Sequence, residues 1–163
     1  MADDRLDPAS EGLLADHGAV TLPGLLRPLL DWYETRHLEL MAERGFDDVR
    51  RAHNAVFVFV PADGIRLTDL ADAAGLSKQA MGELVDELVS KGYFDKAPDP
   101  TDGRAKLIGW AERGEQAHRA TMEVFGRLER ELAGRLGGDA YAVLKSQLLA
   151  LVEAILRDRS DTR

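Results

Sequence analysis

The chain has 163 residues, 45% of them hydrophobic and 31% charged, the make-up of one globular domain of ordinary size. It has no cysteine, which excludes disulfide frameworks, thiolate zinc sites, cysteine nucleophiles and thiol redox sensors. The formal charge of −8 counts against indiscriminate attraction to nucleic acid, although half of that excess falls within residues 1–16, and residues 65–110 carry eight acids against six bases.

Residues 1–20 show no sustained period and read as a loose acidic segment. The chain begins Met-Ala-Asp-Asp-Arg with no apolar stretch behind a basic start. Its longest apolar run, Ala55–Val60, is far shorter than the roughly 20 residues a membrane span needs. The expectation is a cytoplasmic protein with no membrane partner. Residues 21–62 read as N-terminal helices. Leu22, Leu25, Leu26, Leu29, Tyr33, His37 and Leu40 recur at helical spacing. Pro28 either kinks this helix or opens one over 28–44, which Gly45 stops. Within Asp48–Val60 the run Ala55–Val60 is composed like a strand, yet Val49, His53, Val56 and Val60 fit a helix, and a buried helix is expected there.

Residues 63–110 hold the most informative pattern. Thr68 is expected to cap a helix over 69–74, with Gly75 left-handed at its end. Ser77 caps a second helix over 78–91, stopped by Gly92. The three residues Gly75-Leu76-Ser77 between them are the turn of a helix-turn-helix. Segments 93–97 and 105–110 then flank the turn-rich 98–103, which predicts a β-hairpin. On the second helix Met81, Leu84, Val85 and Leu88 share one face, while Lys78, Gln79, Gly82 and Asp86 cluster on the other. First-turn residues of such a helix meet base edges in the major groove. Gln79 suits adenine, Lys78 suits guanine or phosphate, Gly82 lets the backbone approach, and Ser77 can touch phosphate. Residues 111–163 read as two long helices, 111–136 and 139–158, separated by Gly137-Gly138. The last is apolar nearly all round, which calls for a second subunit.

The stretch from Leu67 to Tyr93 resembles the helix-turn-helix of MarR-type transcriptional regulators. The run Asp99-Pro-Thr-Asp-Gly-Arg-Ala-Lys-Leu107 is similar to that family's wing signature, D-P-x-D-x-R-x-K. With the flanking helices, the likeness spans about residues 22–158. It implies a mainly α fold with a small β-hairpin wing: a winged helix-turn-helix on a dimerisation region made by the N- and C-terminal helices, with residues 21–62 serving both dimerisation and support. It also implies a homodimer on double-stranded DNA with a pseudo-palindromic site, Arg104 entering the minor groove from the wing and Asp102 bracing it. A narrow minor groove favours arginine for reasons of its own. One departure is Trp110-Ala111, where the family commonly has Leu-Thr. The missing threonine cap predicts a frayed or displaced start for the following helix.

Trp32, Tyr33, His37, His53 and Phe57 are the candidate lining of a small-ligand pocket, and the family resemblance implies small aromatic or phenolic acids as effectors. His17, His37, His53 and His118 show no metal-ligand spacing, so neither a metal nor a cofactor is expected. Nucleophile-elbow, Walker and dinucleotide motifs are lacking, which argues against an enzyme. The expected function is a dimeric, sequence-specific DNA-binding repressor released by such a ligand. The rival is a dimeric winged-helix module that docks on proteins without binding DNA tightly.

Overall fold

The computed structural model describes residues 21–100 and 102–160, except for the side chains of 103, 104 and 158–160. They fall into two units, one running to Met122 and one starting at Glu123. The loose segment expected over 1–20 lies outside the described residues.

In the first unit, α1 (Leu22–Ala42) takes Pro23 in its opening turn, where a missing N–H costs nothing. It then runs on through Pro28 without the bond that a proline cannot donate, so the helix starts at Leu22 and not at Pro28. The buried helix expected over 48–60 is much shorter. A 3-10 turn at Arg51–His53 leads into α2 (Asn54–Phe57), with His53, Val56 and Val60 buried but Val58 71% exposed. Valine and phenylalanine propagate a helix poorly, and Pro61 closes the segment.

Next comes a strand that the pattern did not predict. β1 (Ile65–Arg66) pairs antiparallel with Ile108 and Leu107, and a two-residue strand shows no alternation to recognise. It continues without a break into α3 (Leu67–Ala74), with Arg66 in the cap position. Thr68 therefore sits inside the first turn, and its expected role as the cap is not what forms. α3 ends at Gly75, whose φ of 66° is the left-handed conformation open to glycine; Leu76 N–H closes on the Ala71 carbonyl at 2.9 Å. α4 (Lys78–Ser90) follows.

The hairpin strands are longer than expected: β2 (Phe94–Asp99) and β3 (Asp102–Trp110), in a sheet ordered β1-β3-β2. Pro98 is accommodated because β2 lies at the edge, next to an irregularity at Pro98/Asp99. Leu40, Leu70, Met81, Val85, Leu88, Tyr93, Phe94 and Ile108 are almost fully buried and make the core beneath. Phe57 and Trp110 add rings to it: Phe94 and Trp110 meet at a tilt with centroids 4.7 Å apart, and Phe57 stands edge-on to Tyr93 at 5.5 Å. Trp110 Nε1 donates to the Val60 carbonyl at 3.1 Å.

α5 (Glu112–Leu136) begins one residue later than expected, and its entry is tied to the core by Ala111 N–H, which donates to the Tyr93 carbonyl at 3.1 Å. Glu112 and Glu115 in its first turn suit the positive end of the helix dipole. The approach is close because Gly114 has no side chain.

The second unit comprises the rest of α5 and α6 (Gly138–Ser160). Val124 and Leu128 are buried, and Tyr141 Oη donates to Glu129 at 2.9 Å while Lys145 pairs with the same carboxylate. Along α6, Val143, Leu144, Leu149, Leu151, Val152, Ile155 and Leu156 are each 40% or more exposed in the single chain.

Two glycines of α5 should respond oppositely to alanine. A Cβ at Gly114 would lie 2.0 Å from the Tyr93 carbonyl oxygen, a backbone atom that cannot swing aside, so Gly114→Ala should cost about 1–3 kcal/mol or more. A Cβ at Gly134 meets open space, so Gly134→Ala should gain about 0.5–1 kcal/mol by helix propensity. Urea unfolding of both variants checks the pair.

Candidate nucleic-acid interface

α4 is amphipathic, and its two faces have different tasks. Met81, Val85 and Leu88 are fully buried, which fixes the rotation of the helix on the core. Lys78, Gln79, Glu83 and Asp86 are consequently exposed on the opposite side. Ser77 Oγ accepts the Ala80 N–H at 3.2 Å, the expected cap, and so anchors the first turn that carries Lys78 and Gln79. Gln79 Nε2 donates to Glu83 Oε1 at 3.3 Å. A Cβ at Gly82 would make only an ordinary 3.7 Å contact with Leu67, so internal packing does not demand a glycine there. The bare surface at Gly82 is thus available to whatever meets the helix. Asp86 is paired with Lys96 of β2, a bond between the helix and the hairpin.

At the hairpin end, Asp99 is buried and takes Arg66 Nε at 2.6 Å. Arg66 stands at the β1–α3 junction, and its bond to Asp99, then their mutual attraction, hold the guanidinium above its ordinary pKa. This clamp to the turn end of the hairpin was missed in the sequence, because 33 positions separate the partners. Asp102 is exposed at the start of β3, opposite Asp99 in the register. Arg104 lies on β3, and its expected bracing by Asp102 lies outside the described side chains.

Under the far end of α4 is a polar network that sequence reasoning also missed. Glu87 receives Lys91 Nζ at 2.7 Å and the Arg50 guanidinium, and His53 Nε2 lies 3.2 Å from it. Bonds from Arg50, Lys91 and His53 hold its carboxyl far below the usual range. Asp48 accepts Tyr93 Oη at 2.6 Å and both Arg113 Nη atoms at 3.0 Å, while its carbonyl takes Lys91 Nζ at 2.6 Å. Partial burial opposes the Asp48 charge, but the bonds from Tyr93 and Arg113 outweigh it and leave the carboxyl below its ordinary value. Burial, then the bond to Asp48, pushes the Tyr93 phenol well above its usual range. The Arg113 guanidinium lies over the Tyr93 ring at 4.5 Å, a cation–π contact. Partners up to 65 positions apart leave no local signal, though charged residues at 48, 50, 87 and 113 beside core segments were visible.

The five ligand-lining candidates are not all drawn together. Trp32, Tyr33 and His37 are half-buried on α1. Phe57 belongs to the ring cluster with Tyr93, Phe94 and Trp110. His53 is fully buried; its Nδ1 accepts the Arg50 N–H at 3.1 Å and its Nε2 faces Glu87. Burial lowers the pKa of His37, and it lowers that of His53 by more than Glu87 restores, so both imidazoles are neutral at pH 7. Among the described residues, no three metal-ligating side chains are grouped to hold an ion, and no helix is long and apolar enough to cross a membrane.

A capped helix behind a glycine turn, with a hairpin beside it and a short strand on the hairpin's inner flank, defines the winged helix-turn-helix class. Residues 50–105 match the family model described as the MarR family. The chain is 23% identical over 91 residues to the transcriptional regulator HosA of Escherichia coli O111:H-, covering 56% of this chain and 67% of HosA. Among solved structures it is similar to reduced MarR of E. coli, with a TM-score of 0.71 at 21% identity over 82% of this chain and 97% of that one. A point mutant of MepR from S. aureus, bound to an oligodeoxyribonucleotide, aligns with a TM-score of 0.58 at 19% identity over 83% and 98%. PcaV of Streptomyces coelicolor, in complex with its natural ligand, aligns at 0.55 and 25% identity over 87% and 96%.

The Asp48 bonds give a pH-dependent stability. A carboxyl whose folded pKa lies below its unfolded one stabilises the fold above the unfolded value, about 4, and loses that contribution as pH falls through the folded value. Asp48→Asn should therefore cost about 1–2 kcal/mol at neutral pH, allowing for partial exposure. The gap from wild type should close as pH drops below about 4, read by urea unfolding across that range.

Proposed function

We propose that the chain is a dimeric, sequence-specific DNA-binding transcriptional regulator that represses its targets and releases them when a small aromatic or phenolic acid binds. The observation that carries this reading is the rotation of α4. Its buried Met81, Val85 and Leu88 leave the capped first turn, with Lys78 and Gln79, presented to solvent. In this reading Gln79 pairs with adenine, Lys78 reaches guanine or phosphate, Ser77 contacts phosphate, and Gly82 admits close approach of the helix to the groove. Arg104 enters the minor groove from the wing with Asp102 beside it. The name of HosA and the oligonucleotide in the MepR structure support DNA as the partner.

The apolar side chains left exposed along α6 support a homodimer, since a patch of that extent in water invites association. Two copies would set two α4 helices against successive major-groove turns of a pseudo-palindromic site. Release by an effector is supported by the PcaV complex with its ligand. Trp32, Tyr33 and His37 of α1 are the residues left to line such a site, because His53 and Phe57 are occupied in the core. An effector acts only if it binds the DNA-incompetent arrangement better than the competent one, and a coupling of about 1–3 kcal/mol is typical.

Selection of bound duplexes from a random pool, at about physiological salt, tests the reading. Recovery of a two-fold-related site with a steep fall of affinity in salt is expected. Binding that is weak on every duplex and flat in salt would favour the protein-docking alternative. Gln79→Ala should weaken discrimination at one position of each half-site by about 1–3 kcal/mol while nonspecific binding persists. Equal weakening on all sequences would make Gln79 a backbone contact. For the dimer, Leu151→Asp with Ile155→Asp should give monomers by sedimentation; an intact dimer would place the interface elsewhere.

A further inference from the structure

We propose that Glu83 is itself a base-reading residue, which with Gln79 forms a bonded pair selecting a cytosine amino group beside an adenine in the major groove. The inference rests on the operator reading above and deepens it. Gln79, Gly82, Glu83 and Asp86 follow helical spacing along the outward side of α4, and Glu83 is fully part of that exposed face. Gln79 Nε2 donates one hydrogen to Glu83 Oε1 at 3.3 Å. That bond keeps the amide oxygen of Gln79 turned away from the carboxylate, since two acceptors repel. The free edge of the pair then displays the Gln79 oxygen, its second amide hydrogen and the other Glu83 oxygen.

These groups match the major-groove code in one sense and oppose it in another. Adenine offers a donor at N6 and an acceptor at N7, which the Gln79 amide answers. Cytosine offers a donor at N4, which a carboxylate accepts in a charge-assisted bond. Guanine and thymine present acceptors at the same places, so Glu83 opposite either would set oxygen against oxygen with water squeezed out. Two further features give Glu83 this reach. Gly82 next to it has no side chain to hold the helix off, and Asp86 one turn on is already matched by Lys96, whereas the bond Glu83 receives comes from a neutral amide. The carboxylate also repels phosphates, so it weakens binding to every sequence while it sharpens the choice among them.

The test compares wild type, Glu83→Gln and Glu83→Ala in the random-pool selection, followed by Kd measurements on the selected duplex and on versions with the cytosine replaced. Wild type should prefer cytosine at one position of each half-site by about 5- to 150-fold, the usual cost of one mismatched pair. Both variants should lose that preference and bind unrelated duplex more tightly than wild type, and Glu83→Ala, which frees the Gln79 amide, should also weaken the choice of the adenine beside it. Glu83→Gln preserves size and hydrogen bonding on an exposed face, and an unchanged melting temperature certifies its fold. Variants that select the same bases with the same discrimination as a site-selective wild type overturn the role of Glu83 alone. A wild type that selects no duplex overturns the operator reading, and this inference falls with it.

Discussion

Tyr93 leaves water completely, and every group on it is then used. Its hydroxyl donates to Asp48, its ring lies beneath the Arg113 guanidinium and edge-on to Phe57, and its carbonyl takes the first N–H leading into α5. Burying a phenol is tolerable only when its oxygen finds a partner, and here the partner is a carboxylate from the loop before the 3-10 turn. One residue thereby joins the end of the helix-turn-helix, the start of the wing, that loop and the helix that leaves the domain. Gly114 is a corollary, because a side chain there would displace the carbonyl on which α5 begins.

Most of the fold was legible because it is written in local patterns. Gly75, Ser77 and the apolar spacing of Met81, Val85 and Leu88 each act within one or two helical turns, and each forms as expected. The wing was legible from its turn chemistry, but β1 was not, since two residues carry no period and gain their identity from Ile108 and Leu107 across the sheet. The same limit hid Arg66 with Asp99 and the whole Asp48–Tyr93–Arg113 set, whose partners meet only after the chain has folded. Thr68 misled for a related reason. It looked like a cap, but strand pairing placed Arg66 at that position first. Among the ligand candidates, periodicity correctly turned His53 inward and could not say that Arg50 and Glu87 would occupy it.

Charge around the helix-turn-helix and the hairpin is managed pair by pair. Asp86 is matched by Lys96, Glu87 by Arg50 and Lys91, and Asp99 by Arg66. A segment with eight acids and six bases thus uses Asp86, Glu87 and Asp99 as braces between elements, but the pairs consume Lys96, Lys91 and Arg66 as well, so the balance left over is still acidic.

The strand β1 passes into α3 with no residue between them, so the strand that pairs with the hairpin continues directly into the first helix of the turn, and the Arg66–Asp99 clamp adds a second tie. In the proposed complex, a tilt imposed on the wing by a bending duplex would pass through β1 into α3, and through its turn into α4. Under that reading the winged helix would act as one lever with two points of contact. Its discrimination between duplexes would then include their stiffness as well as their letters, because a duplex that resists the curvature set by the spacing of those two points would forfeit one of them.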